Sequence, residues 1–135
     1  MVYAVIDTNI FVSAFITKNA TASTRRVINS LFTGKIKPLY NDEIIEEYSE
    51  VLHRSKFHLA DKDIQRLLYF IQTNGIDSSR FPYDGDMPDE DDRVFYEVAL
   101  SEEDSFLVTG NLKHFPKTPK VVTAAKMMEI LDHEE

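Results

Sequence analysis

A chain of 135 residues has room for one domain with a core of its own. The absence of cysteine excludes disulfides, thiolate zinc sites and a cysteine nucleophile, and no apolar run approaches the roughly 20 residues of a membrane span. A formal net charge of −8 argues against a uniformly basic nucleic-acid binder. The charge is uneven, however. Six of the nine residues in DGDMPDEDD (84–92) are acidic, whereas Arg25, Arg26, the GKIKP stretch (34–38) and Lys113, His114, Lys117, Lys120 and Lys126 are locally basic. The chain does not open with a basic segment followed by an apolar one, so no signal peptide is expected and a cytoplasmic location follows.

Residues 3–6 (YAVI) read as a buried strand, followed by Asp7 and then by Ile10, Phe11 and Val12 at the start of a helix over about 10–15. A second helix covers about 22–33 and stops at Gly34. IKPLY (36–40) is a short strand in which Pro38, lacking an N–H, points to an edge or an irregularity. Residues 42–54 form a helix with Ile44, Ile45, Tyr48, Val51 and Leu52 on one face, capped by Asn41 or Asp42. Another helix spans 61–73 and ends at Asn74-Gly75. A strand over 75–81, the acidic loop, a helix over about 91–103, strands at 105–109 and 120–122 and a last helix at 123–132 complete the chain.

No repeat, low-complexity tract or linker interrupts this order, so a single domain over 1–135 is expected. The alternation predicts an α/β fold: a three-layer sandwich with a central parallel β-sheet and right-handed crossovers. Such sheets bind ligands beyond the carboxyl ends of their strands. Asp7 and Asn111 both fall just past strand ends.

Asp7 has a plain structural reading, because Asp is a common helix N-cap. Two further acids argue for more. In the helix at 42–54, Glu43, Glu46 and Glu50 point away from the apolar stripe, and Glu47 alone lies at its edge. Asp92 shares the side of its helix that carries Phe95 and Ala99, while Asp89 either caps that helix or projects with Asp92. One or two acids at a helix start suit its dipole, but six in a row of nine do not follow from that. Crowded carboxylates repel unless they are protonated or neutralised by a cation. Asp7, Glu47 and Asp92 therefore point to an all-oxygen site for Mg²⁺ or Mn²⁺. Such an ion holds phosphate oxygens and activates water.

Other chemistries fit less well. His53, His58, His114 and His133 are scattered and read as surface residues. With four glycines there is no phosphate-cradling loop, and no G-x-S-x-G elbow is present. A phosphoryl-accepting receiver domain also places Asp at strand ends, but it requires a second acid beside the first, and Asp7 has none adjacent.

Four segments, in order from residue 3 to about 123, resemble the motifs of the PIN-domain family: VIDTNIFVSAF, IIEEYSEVL, PDEDDRVFYEVAL and FLVTGNLKHF. The resemblance implies a metal-dependent nuclease fold with a central parallel sheet of five strands. It extends to ribonuclease toxins of the VapC type, each neutralised by a cognate antitoxin protein, and to homodimers. It implies that Asp7, Glu47 and Asp92 hold Mg²⁺ or Mn²⁺, that Asp89 is an auxiliary acid, and that Thr109 and Asn111 orient water or phosphate. Thr8, Asn9 and Ser13 would shape the site or touch RNA. Asn111 stands where many members have Asp, which removes a charge from a second metal position, and Asp89 is the acid placed to compensate. The expected function is thus a divalent-metal-dependent endoribonuclease. The competing expectation is a non-catalytic PIN-fold module that binds RNA or protein.

Overall fold

The structure is a computed structural model and describes residues 1–134. Strands β1 (Val2–Ile6), β2 (Ile36–Tyr40), β3 (Ile76–Asp77), β4 (Phe106–Val108) and β5 (Val121–Val122) form one all-parallel sheet in the order β3-β2-β1-β4-β5. Among the described residues six helices accompany it: α1 (Thr8–Ile16), α2 (Ser23–Phe32), α3 (Asp42–Leu52), α4 (Asp61–Asn74), α5 (Arg93–Leu100) and α6 (Ala124–Asp132). This is the expected α/β sandwich.

Side chains alternate between the faces of a strand, so the burial of three successive residues shows that helices cover both faces of the sheet. In β1, Ala4, Val5 and Ile6 are all fully buried. Ala4 pairs with Pro38 on one side and with Phe106 on the other, which makes β1 the centre of the sheet. From β1 the chain builds outward to β2 and β3, then returns to place β4 and β5 on the opposite side. The strand order therefore reverses between β1 and β4, the place beyond whose carboxyl ends such sheets bind ligands.

Helix α2 packs on α1 and α6, and α3 packs on α4 and α5. Gly34 follows α2 at φ +83°, the left-handed position that a residue with a Cβ adopts at a cost. At the start of α3 the cap is Asn41, whose side chain accepts from the Ile44 amide at 2.9 Å.

Three expectations need correction. Pro38 does not mark an edge, since β2 lies second from the edge, between β1 and β3. Tyr40 accepts from Ser78 N on the β3 side, so the like-facing Pro38 turns its ring nitrogen the same way. The two-residue β3 pairs only with Leu39 and Tyr40, so no ladder bond is lost there. The strand expected over 75–81 is confined to Ile76–Asp77, because the chain beyond it turns to meet α5: the Phe81 amide donates to the Glu97 carbonyl. The helix expected over 91–103 is α5, Arg93–Leu100, preceded by a 3-10 turn at Glu90–Asp92. It stops where the ammonium of Lys120 gathers the carbonyls of Ala99, Glu102, Glu103 and Ser105, drawing them off the helical path.

Three rings meet beneath the end of β1. Tyr48 lies edge-on to Phe11 with centroids 5.0 Å apart and tilted against Phe95 at 6.1 Å. Pairs of this kind contribute about 0.5–1.5 kcal/mol each beyond the area they bury. The Tyr48 hydroxyl donates to the Ile6 carbonyl, fixing the end of β1 immediately before Asp7.

Candidate active site

Asp7 occupies the N-cap position of α1, but its carboxylate makes no capping hydrogen bond. The backbone amides of Asn9 and Thr8 nonetheless lower its pKa. Its Oδ2 accepts from the Thr109 hydroxyl at 2.8 Å, and Thr109 is held in turn by the Asn111 amide, which donates to its Oγ1 at 3.1 Å. The Asp7 amide donates to the Val108 carbonyl, which locks the ends of β1 and β4 together. Asp7 is only 5% exposed, and burial raises its pKa above the usual carboxylate range. Asp7 is thus a buried carboxylate at the carboxyl edge of the sheet, tied to the end of β4.

Glu47 comes from α3 and is half-buried at the edge of the apolar stripe, as the helical angle implies. Its Oε2 accepts from the Thr8 hydroxyl at 2.9 Å, so the residue after Asp7 aims it. Burial raises the pKa of Glu47, and the negative field of Asp7 adds to the rise. Asp92 stands at the start of α5, and its pKa is pushed up to about 6, first by burial and then by the fields of Asp7, Asp89 and Glu47. The fold thus brings three acids from elements far apart in sequence into one electrostatic neighbourhood, the field of Asp7 reaching Glu47 and the fields of both reaching Asp92.

The remaining candidates take smaller parts. Asp89 is exposed and caps the 3-10 turn, its Oδ1 accepting from the Asp91 amide at 3.0 Å. Asn111 does likewise at the turn Leu112–His114, accepting from the Lys113 amide at 3.2 Å. Thr8 and Thr109 are buried and orient Glu47 and Asp7, whereas Asn9 and Ser13 are exposed on α1. His114 is partly exposed, in keeping with a surface histidine, and its Nδ1 also lies 3.4 Å from Asp92 Oδ2. The signal available was its place just after the strand end at 109, on the side to which Asp7 belongs.

The pKa of Asp92 makes a prediction about the metal-free protein. The folded chain keeps that proton up to about pH 6, and the unfolded chain releases it near 3.8. Between these values the folded state binds the extra proton, so rising pH favours unfolding. Asp92→Asn removes the dependence. Its gain in Tm over the parent in EDTA is expected to be absent below pH 3.8, to grow toward pH 6 and to stay level above it. At roughly 3–5 °C per kcal/mol for a domain of this size, thermal unfolding resolves the gain. A flat difference across the window would show that Asp92 does not face the other acids.

Among the described residues, no group of three His, Asp or Glu side chains stands close enough to enclose a metal ion. The donor set nonetheless fits Mg²⁺ or Mn²⁺ in chemistry: mutually repelling, partly buried carboxylates, all oxygen. Mg²⁺ commonly keeps several waters and binds through one or two carboxylates with substrate phosphates, so a preformed cage is not required. Also among the described residues, no helix is long and apolar enough to cross a membrane.

A family model described as PIN domain matches residues 3–113. No curated protein and no solved structure matches the chain.

Proposed function

The chain belongs to the PIN-domain family, a family of nucleases, and on that premise we propose that it is a divalent-metal-dependent endoribonuclease. Its proposed setting is the cytoplasm, as the VapC-like toxin of a toxin–antitoxin pair, with RNA as substrate, an antitoxin protein as partner and a second copy of the chain as a dimer mate. The observation that carries the catalytic reading is the gathering of partly buried carboxylates at the carboxyl edge of the sheet, where burial and the fields of Asp7, Asp89 and Glu47 raise the pKa of Asp92 to about 6. A bound cation would relieve that hindrance to ionisation.

Asp7, Glu47 and Asp92 would hold the ion directly or through water, with Asp89 as auxiliary. The bound ion supplies a more acidic water and charge to stabilise the in-line displacement at phosphorus. The protein aims its carboxylates in advance: Thr109 fixes Asp7, and Thr8 fixes Glu47. Lys113 and Lys117, both exposed, would meet flanking phosphates. The decisive experiment is cleavage of defined RNAs by the partner-free protein in Mn²⁺, in Mg²⁺ and in EDTA. Cleavage in Mn²⁺ that EDTA abolishes supports the reading. RNA binding without cleavage in any metal favours the non-catalytic module, to which the neutral Asn111 lends some support.

Position 111 yields a prediction of its own. An amide brings no charge to a cation, whereas the Asn111 oxygen caps the turn that follows. Asn111→Asp keeps an oxygen acceptor for that cap and adds a charge, so it is expected to tighten Mn²⁺ binding several-fold. Asp89→Asn removes an acid whose field reaches Asp92 and is expected to weaken it. Calorimetric titration with Mn²⁺ measures both. No change in either variant would reduce both residues to turn caps.

A further inference from the structure

Glu97 is a buried acid for which the proposed chemistry has no use. It lies on α5, and its side chain is 9% exposed. Its carboxylate is fully engaged: Oε1 accepts from Arg80 Nε at 2.7 Å, and Oε2 accepts from the Tyr83 amide at 2.8 Å. The same guanidinium reaches in the other direction. Arg80 Nη1 donates to both carboxylate oxygens of Glu43, at 3.1 and 2.9 Å. Glu43 belongs to the first turn of α3. One side chain from the loop after β3 thus ties α3 to α5.

Those two helices carry two of the site acids. Glu43 is one helical turn before Glu47, and residues four apart lie on one side of a helix. Glu97 is on the helix that Asp92 begins. The loop end of the link is itself anchored: the Phe81 amide donates to the Glu97 carbonyl, and Arg93 donates to the carbonyls of Tyr83 and Gly85. Tyr83 also packs edge-on against Tyr96, with centroids 4.9 Å apart. A guanidinium holds carboxylates through a rigid planar fork, so a paired arginine fixes direction as well as distance.

We propose that Arg80 is a positioning residue: clamped between Glu97 and Glu43, it sets the separation of Glu47 and Asp92. The relevance of that separation to metal binding rests on the function proposed above, but the separation itself does not. The stretch between β3 and the acidic loop acquires a purpose on this view, because it delivers the cation that braces the two helices.

Arg80→Ala would leave the Glu97 carboxylate buried without its cation and would threaten the fold. Glu43→Gln is the sharper test, since Glu43 is exposed and only the α3 arm of the brace is lost. Glu50→Gln is the control. It makes the same change of charge in the same helix, its partner Arg54 lies within the same segment, and its field reaches Glu47. Because the chain has no cysteine, nitroxides attached through Glu46→Cys and Asp91→Cys report the spacing beside Glu47 and Asp92 without background.

In metal-free protein, pulsed electron–electron resonance is expected to give a narrow interspin distance in the parent and in Glu50→Gln, and a broadened or shifted one in Glu43→Gln. In calorimetric titration, Mn²⁺ affinity is expected to fall about tenfold in Glu43→Gln, the low end for losing a supporting partner of a metal site, and to change less in Glu50→Gln. An interspin distance unmoved by Glu43→Gln overturns the brace. Equal losses of Mn²⁺ affinity in the two variants overturn its role in positioning and leave charge alone as the cause. Failure of the parent to bind Mn²⁺ would instead overturn the proposed function, and the interspin distance would then decide the brace on its own.

Discussion

Asp7→Asn is expected to abolish RNA cleavage, by on the order of 10³-fold or more, while raising the Tm of the metal-free protein. The activity loss follows if Asp7 holds the ion, because the charge stabilisation and water activation that the ion supplies amount to several kcal/mol and each 1.36 kcal/mol is a factor of ten in rate. The stability gain follows from burial. The folded chain raises the pKa of Asp7 above that of the unfolded chain, so at neutral pH its ionised form is held at a cost. An amide has no such cost and still accepts from the Thr109 hydroxyl through its oxygen. Cleavage of a defined RNA and thermal unfolding in EDTA test the two halves separately. Unchanged turnover would remove Asp7 from the catalytic site, and a lowered Tm with intact turnover would return it to the role of a structural cap.

Glu47→Ala is expected to cost cleavage activity on the order of 10²–10³-fold, as removal of a charged ligand from a metal-assisted site does. Glu46→Ala, one residue away, is expected to leave turnover within about twofold, because exposed surface substitutions seldom reach beyond themselves. The contrast comes from the helix. Glu47 turns toward Thr8, which donates to its Oε2, and Glu46 turns to solvent. Loss of the Glu47 carboxylate also leaves the buried Thr8 hydroxyl without its acceptor, a cost of about 1–3 kcal/mol in the folded state. Relief of repulsion with Asp7 and Asp92 opposes that loss, so the variant is expected to remain folded. Inactivity in Glu46→Ala rather than Glu47→Ala would show that α3 presents a different face to the site.

Much of this arrangement was legible in the chain itself. The apolar run 3–6, the stripe Ile44, Tyr48, Val51 and Leu52, and the stop at Gly34 are local patterns, and local patterns fix local structure. The alternation of strand and helix fixed a parallel sheet, and that placed Asp7 at a carboxyl edge before any distance was known. The half-buried place of Glu47 at the edge of the stripe needed only 100° per residue and the position of Tyr48.

What the chain did not display were the distances between segments remote in sequence. Thr109 donates to Asp7 across 102 positions, and Arg80 reaches Glu97 across 17 and Glu43 across 37. His114 stands beside Asp92 only because the turn after β4 and the start of α5 converge in space. Pro38 misled for the same reason: a missing N–H forbids a ladder bond, but whether the strand is an edge depends on how far its neighbour extends, and β3 is two residues long. The residue types and their local faces are properties of the sequence, because propensity and periodicity act within a few turns or strand pairs. The burial of Asp92, together with the fields of Asp7, Asp89 and Glu47, raises its pKa to about 6; that is a property of packing alone, because desolvation and repulsion depend on surroundings in space that only the closed sheet sets.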